Sequence, residues 1–184
     1  NMLQFLEKER EGGATKLKFN VEKVKLKDDI WLTNMIGEFE CDHIRCFKGK
    51  LSSNIGSRSV NVDLAANDNQ EKWSIKCTNA GALLRGLDMY NSMRAGNLTL
   101  DMVTSRKEVK PGYIIPIHKG TFVFDRFVLH NAKMLTRLVS LISLPGLLDL
   151  ITGKSDIAFQ KMSGNFSFRN GVLSVEDSYA SGPY

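Results

Sequence analysis

The sequence predicts a mostly β fold of the α+β class, a curved antiparallel sheet carrying two helices, near 80–93 and 132–152. Three observations carry this. Apolar and polar residues alternate over many short segments, the period of a half-buried strand. Turns rich in Asn, Gly and Asp join those segments, and connections this short make neighbouring strands antiparallel. Only two passages have the spacing of an apolar helix face.

The chain begins NMLQFLEKEREGG, which reads as a short polar helix. In TKLKFNVEKVKL, Leu17, Phe19 and Val21 alternate with Lys18 and Asn20, and then Glu22 and Lys23 interrupt the period before Val24 and Leu26 resume it. A slip of one residue exchanges the two faces, so a β-bulge is expected there. Strands are expected near 31–40, 44–52, 59–66 and 72–78. The first helix opens on Asn79 as N-cap, with Leu83, Leu84, Leu87 and Met89 or Tyr90 as its apolar side. AGNLTLDMVTS returns to alternation through Leu98, Leu100 and Met102. RKEVKPGYIIPI reads as a polar, proline-bearing connection and GTFVFDRFVLH as a Phe-rich strand.

Met134 to Ile151 is a run of 18 residues, near the lower limit for crossing a bilayer. Arg137, Pro145, Gly146 and Asp149 interrupt it, and a charge near the bilayer centre costs about 3 kcal/mol. Lys133, Thr136, Arg137 and Ser140 make one narrow polar stripe, and Pro145 ends the first helix or starts a shorter second one. The run is expected to cover the apolar face of the sheet with Leu135, Leu138, Val139 and Ile142. Contact with lipid is the alternative. The last hairpin closes on Asn170-Gly171, the preferred pair for a type I′ turn. That puts Phe168 opposite Leu173, Phe166 opposite Val175 and Met162 near Tyr179, all on one face.

The two helical passages resemble each other. Asn79, Ala80, Leu83 and Arg85 match Asn131, Ala132, Leu135 and Arg137 at constant offset, and a Gly-Asn step follows each, at Gly96 and Gly164. The organisation expected is one domain over 1–184, with 1–78 mainly strands and 79–184 two strand–helix–strand units ending in a hairpin. The start carries no signal peptide and the end, SVEDSYASGPY, stops within a strand pattern, as expected of a piece of a longer repetitive β protein with a free edge near Ser174 to Tyr179.

Lys and Arg number 25 against 20 Asp and Glu, and 42% of the 184 residues are apolar. The mild basic bias is spread along the strands with acids between, so a solvated surface is expected and no nucleic-acid partner. Three cysteines cannot all pair within one chain. Cys41, His43 and Cys46 resemble part of a zinc site, but no second ligand pair has the usual spacing, so no metal is expected. Cys41 and Cys46 oppose each other if the chain turns near Asp42 to Ile44, within the roughly 6 Å that a disulfide spans; free or locally paired cysteines are both open. Three histidines (His43, His118 and His130), no G-x-S-x-G, no phosphate loop and no helical carboxylate pair leave no catalytic constellation. Asp125 shares a strand with His118 and His130, where solvent-facing positions are expected. Neither enzyme activity nor a cofactor is expected.

From about Cys77 to its end the chain resembles the C-terminal region of AsmA-like envelope proteins of Gram-negative bacteria, the family that includes TamB and YhdP. Ala80-Gly81, Leu83-Leu84-Arg85, Gly120-Thr121-Phe122 and Asn131-Ala132 before Leu135-Thr136-Arg137-Leu138 carry the resemblance. So do Pro145-Gly146-Leu147, Gly153, Phe159, Gly164, Phe166, Asn170-Gly171 and the closing Ala180-Ser181-Gly182-Pro183. Residues 1–76 fit the family only as alternating strands, and Lys154-Ser155 departs from the Gly-rich sequence usual there. The resemblance implies a periplasmic body of stacked strands, anchored in the inner membrane by sequence outside this chain. Its open apolar groove would carry phospholipid or another amphipathic lipid toward the outer membrane, and the helices would pack on or plug that groove. The candidate lipid-contact face is Phe122, Phe124, Leu135, Leu138, Phe166, Phe168, Leu173 and Val175, and neighbouring β repeats of the same chain are the expected partners. A structural or protein-interaction module of the envelope, filling its core with its own side chains, is the alternative.

Overall fold

Ten strands and one short helix make up the described part of the computed structural model, which covers residues 4–11, 14–42, 45–67, 70–110, 113–130 and 156–182. The strands are β1 (Gln4–Glu11), β2 (Ala14–Lys25), β3 (Trp31–Cys41), β4 (Cys46–Ile55), β5 (Arg58–Ala66), β6 (Gln70–Cys77), β7 (Met93–Lys110), β8 (Tyr113–His130), β9 (Asp156–Arg169) and β10 (Val172–Ser181). Every strand pairs antiparallel with the next, so the sheet is a meander in chain order, unclosed, with β1 and β10 as its edges. The mostly β, antiparallel reading of the sequence holds. The expected second helix, 132–152, with Leu135 and Leu138, lies outside the described residues.

The N-terminal segment is a strand, not the polar helix expected. A helix of this length is marginal in water without packing, whereas the free side of β2 supplies a full row of hydrogen-bonding partners. The register sets Glu7 opposite Lys18 and Glu9 opposite Lys16. The slip at Glu22 and Lys23 is real: Val21 and Val24 are half-buried while the two residues between them are exposed. The β-bulge expected there is not found between β2 and β3, which stay in one register; the shift lies instead between β3 and β4, from Thr33 to Ile36, where Asn34 has φ 51°. Such insertions bend a strand and increase its twist, as a curved sheet requires.

Helix α1 (Ala80–Gly86) begins as expected, with the Asn79 side chain accepting from the Ala82 N–H at 3.2 Å. It ends about two turns sooner than the 80–93 expected. Asp88 takes a left-handed φ of 57°, its N–H bonds the Arg85 carbonyl, and the Met89 N–H bonds the Leu84 carbonyl. That pair of bonds is the Schellman closure, with Asp where Gly is usual. The Lys27 ammonium holds the Asp88 carboxylate at 2.6 Å, and the Lys27 N–H bonds the Gly86 carbonyl. Leu87 and Met89, counted in the apolar face from sequence, are therefore exposed.

The proline-bearing passage is also strand. The register runs on through Arg106 opposite Pro116 and Lys110 opposite Tyr113. Pairing of β8 with β9 stops at His118 opposite Phe168, so Pro116 has a partner strand on one side only, where a missing donor is tolerated. The final hairpin is as read: Asn170 and Gly171 have φ 52° and 78°, and Phe168 and Phe166 oppose Leu173 and Val175. One detail differs. Asp177, at φ 48°, makes a bulge, so Met162 faces Ala180 and Tyr179 is turned out and exposed.

Candidate functional site

Register and alternation put one set of residues on a single face across the sheet. In the middle of the sheet Leu51 opposes Val62, Val62 opposes Ile75, Ile75 opposes Leu100 and Leu100 opposes Phe122. Toward the C-terminal edge the row is taken up by Phe124, Phe166, Phe168, Leu173 and Val175. These are the described members of the lipid-contact set expected from sequence, and they share that face.

The face has two parts. At one end α1 closes it: Ala80 and Leu83 join Ile55, Val60, Cys77, Met93, Leu98, Phe127, Leu129, Ile157 and Phe159 in one buried cluster. Phe127 is 1% exposed and stacks on Phe159 at 5.1 Å. Beyond that cluster most of the same face is only half-buried, including Phe19, Phe39, Trp73, Met102, Phe124 and Phe166. Toward β10 it opens further, with Phe168 at 40% and Leu173 at 57%.

Along this face phenylalanines oppose glycines; Phe19, Phe39 and Phe166 are half-buried and Phe122 is buried. Phe19 pairs with Gly37, Phe39 with Gly49, and both Phe122 with Gly164 and Phe166 with Gly120. In three of these pairs the ring lies across its partner. A Cβ on Gly37 would sit 2.2 Å from the tip of Phe19, one on Gly49 2.2 Å from the Phe39 ring, and one on Gly164 3.0 Å from Phe122. The Phe19 and Phe39 rings are nearly parallel, with centroids 6.1 Å apart. Rings laid flat over glycine give a smooth apolar surface, where upright side chains would interdigitate with a covering layer. The sequence signal was available, because Gly37, Gly49, Gly120 and Gly164 all stand at apolar-parity positions inside strands, a pattern that marks close approach.

The other candidates do not converge. His118 hydrogen-bonds the Thr104 hydroxyl at 2.9 Å and tilts against Phe168. His130 pairs with Asp156. The two histidines are twelve residues apart on β8, roughly 40 Å along the strand, and Asp125 lies opposite Asn97 and Lys161. His43 is outside the described residues. Cys41 and Cys46 form a disulfide across the β3–β4 hairpin, so neither is available as a thiolate ligand. Cys77 is a buried free thiol whose pKa is pushed up by desolvation.

Among the described residues, fold and face together define an open antiparallel meander with an aromatic, partly exposed apolar side. Among the described residues no helix is long and apolar enough to cross a membrane. Comparison with family models, with curated proteins and with solved structures returns no match to this chain.

Proposed function

We propose that the chain is a non-enzymatic segment of an AsmA-like envelope protein, lying in the periplasm and contributing an apolar β-groove for phospholipid transport between the inner and outer membranes. Cross-strand Phe–Gly pairing is the observation that carries the reading. It leaves the Phe19 and Phe39 rings, laid over Gly37 and Gly49, only partly buried on the face where a self-contained core would bury them fully. The resemblance of residues 77–184 to that family supplies the rest. Acyl chains would lie along Phe19, Phe39, Trp73, Met102 and Phe166, with α1 closing one end. Native mass spectrometry of the purified chain checks this: phospholipid-bound species are expected, and a delipidated sample should take up phospholipid from vesicles. A folded chain that neither retains nor takes up lipid overturns it.

The exposed apolar residues on edge strand β10, with Val172 at 64% and Tyr179 at 62%, favour the second reading, an envelope interaction module. That module would self-associate or add a strand without lipid present.

A further inference from the structure

A cavity of about 570 Å³ lies between α1 and the β7–β8 pair, and four arginines line it: Arg58, Arg85, Arg94 and Arg126. Among the described residues no Asp or Glu lines it. Nor does any of the four make a salt bridge or side-chain hydrogen bond there. Arg106 meets Glu71 at 2.6 Å and Arg45 meets the Asn67 carbonyl at 2.8 Å. Guanidinium groups stay charged at any physiological pH, and with Arg58, Arg94 and Arg126 exposed and Arg85 half-buried, four of them around one cavity without a lining carboxylate make a positive site that an anion can reach from solvent.

The backbone is shaped at the same place. Ala95, Gly96 and Arg126 all have left-handed φ, at 55°, 84° and 52°. The neighbouring register pairs, Ala95 with Phe127 and Asn97 with Asp125, bring Gly96 level with Arg126. This matched pair of irregularities breaks the alternation of both strands at the cavity, and local strain of this kind collects at binding sites. On the other side, a Cβ on Gly96 would meet the Cβ of buried Phe127 at 2.7 Å. The cavity thus borders the apolar core. Its volume falls within the range of about 300–1,000 Å³ that small-molecule sites occupy.

We propose that Arg58, Arg85, Arg94 and Arg126 form a binding site for a phosphate ester, the guanidinium forks chelating the phosphate oxygens. The proposal rests on the lipid reading only for the source of the phosphate, a phospholipid headgroup or a soluble phosphate ester. Titration calorimetry on the delipidated chain tests it with inorganic phosphate, sn-glycerol 3-phosphate and dihexanoyl phosphatidic acid below its micelle concentration, with glycerol as the neutral control. Saturable binding of the phosphate probes and none of glycerol is expected. Arg94→Gln and Arg126→Gln should each weaken binding roughly tenfold or more, the loss expected for a charge-assisted hydrogen bond. The Lys variants, keeping charge without the fork, should fall between. Arg58→Gln, beside an exposed turn, carries the test if the others fold poorly. Tighter binding of the short-chain lipid than of glycerol phosphate identifies a headgroup site; equal binding identifies a soluble ester, and either supports the site. No phosphate binding, or binding undiminished in a folded Arg94→Gln, Arg126→Gln chain, overturns it. Phospholipid that still co-purifies with that chain would leave the transport reading standing while the arginine site falls.

Discussion

Glycines at apolar positions differ in what an added Cβ would strike, and that difference ranks their substitutions. At Gly37 the obstacle is the tip of Phe19, a side chain able to swing. At Gly120 it is backbone, the Asp101 carbonyl oxygen at 2.1 Å. Gly120→Ala should therefore cost about 1–3 kcal/mol, as overpacking does, and Gly37→Ala distinctly less. Urea unfolding gives both, and the reverse order would refute the reading of these contacts. Cys77, 1% exposed, makes a second residue-level expectation. Burial holds its proton in the folded chain after the unfolded thiol has lost it, and burial acts on the Tyr90 phenol in the same direction. The folded state then binds more protons than the unfolded one. Stability should be intact below the ordinary thiol value of 9.0 and decline as pH rises through the raised folded value. Cys77→Ala should flatten that decline, and the wild-type thiol should react with a disulfide reagent only in denaturant.

At the level of elements, the strands of 14–105 and the last hairpin were legible because alternation and turn chemistry agreed, as at Asn170-Gly171. Both turn residues need positive φ, so Asn170→Ala with Gly171→Ala should cost about 1–2 kcal/mol per residue. Hydrogen exchange at Leu173 and Val175 should speed up before exchange in β5 or β6 does; uniform acceleration would mean that β10 does not open as a separate unit. Two elements were misread for one reason. The N-terminal segment became a strand, and α1 stopped at Gly86, through contacts with distant parts of the chain: the open side of β2, and Lys27 on Asp88. Local pattern carries no record of either. The N-cap is local and was legible. Asn79→Ala should lower stability by about 0.5–2 kcal/mol, and Asn79→Ser should restore most of it.

Across the whole molecule, the parity of Phe166, Phe168, Leu173 and Val175 about the Asn170-Gly171 turn put them on one face from sequence alone, and the β8–β9 register adds Phe122 and Phe124 to it. The division of that face did not appear there, because it depends on where α1 lies and on which glycine each ring crosses. Nor could spacing bring Arg58 and Arg126, 68 positions apart, to one cavity. The division makes two phenylalanines of one sheet behave differently. Phe127 is sealed against Phe159 beside α1, and Phe127→Ala should cost about 3–5 kcal/mol. Phe166 is half-buried opposite Gly120, has less packing to lose, and in Ala form should cost under half as much. The Asp variants separate packing from lipid contact. A carboxylate at 127 would be buried without a partner, so Phe127→Asp should unfold the chain. At 166 the charge can reach water, so Phe166→Asp should keep the circular dichroism of the wild type while its phospholipid-bound species in native mass spectrometry fall away. Equal destabilisation by the two Asp variants would mean that the face is closed along its whole length. A folded Phe166→Asp chain with its lipid complement intact would mean that lipid does not lie on this face.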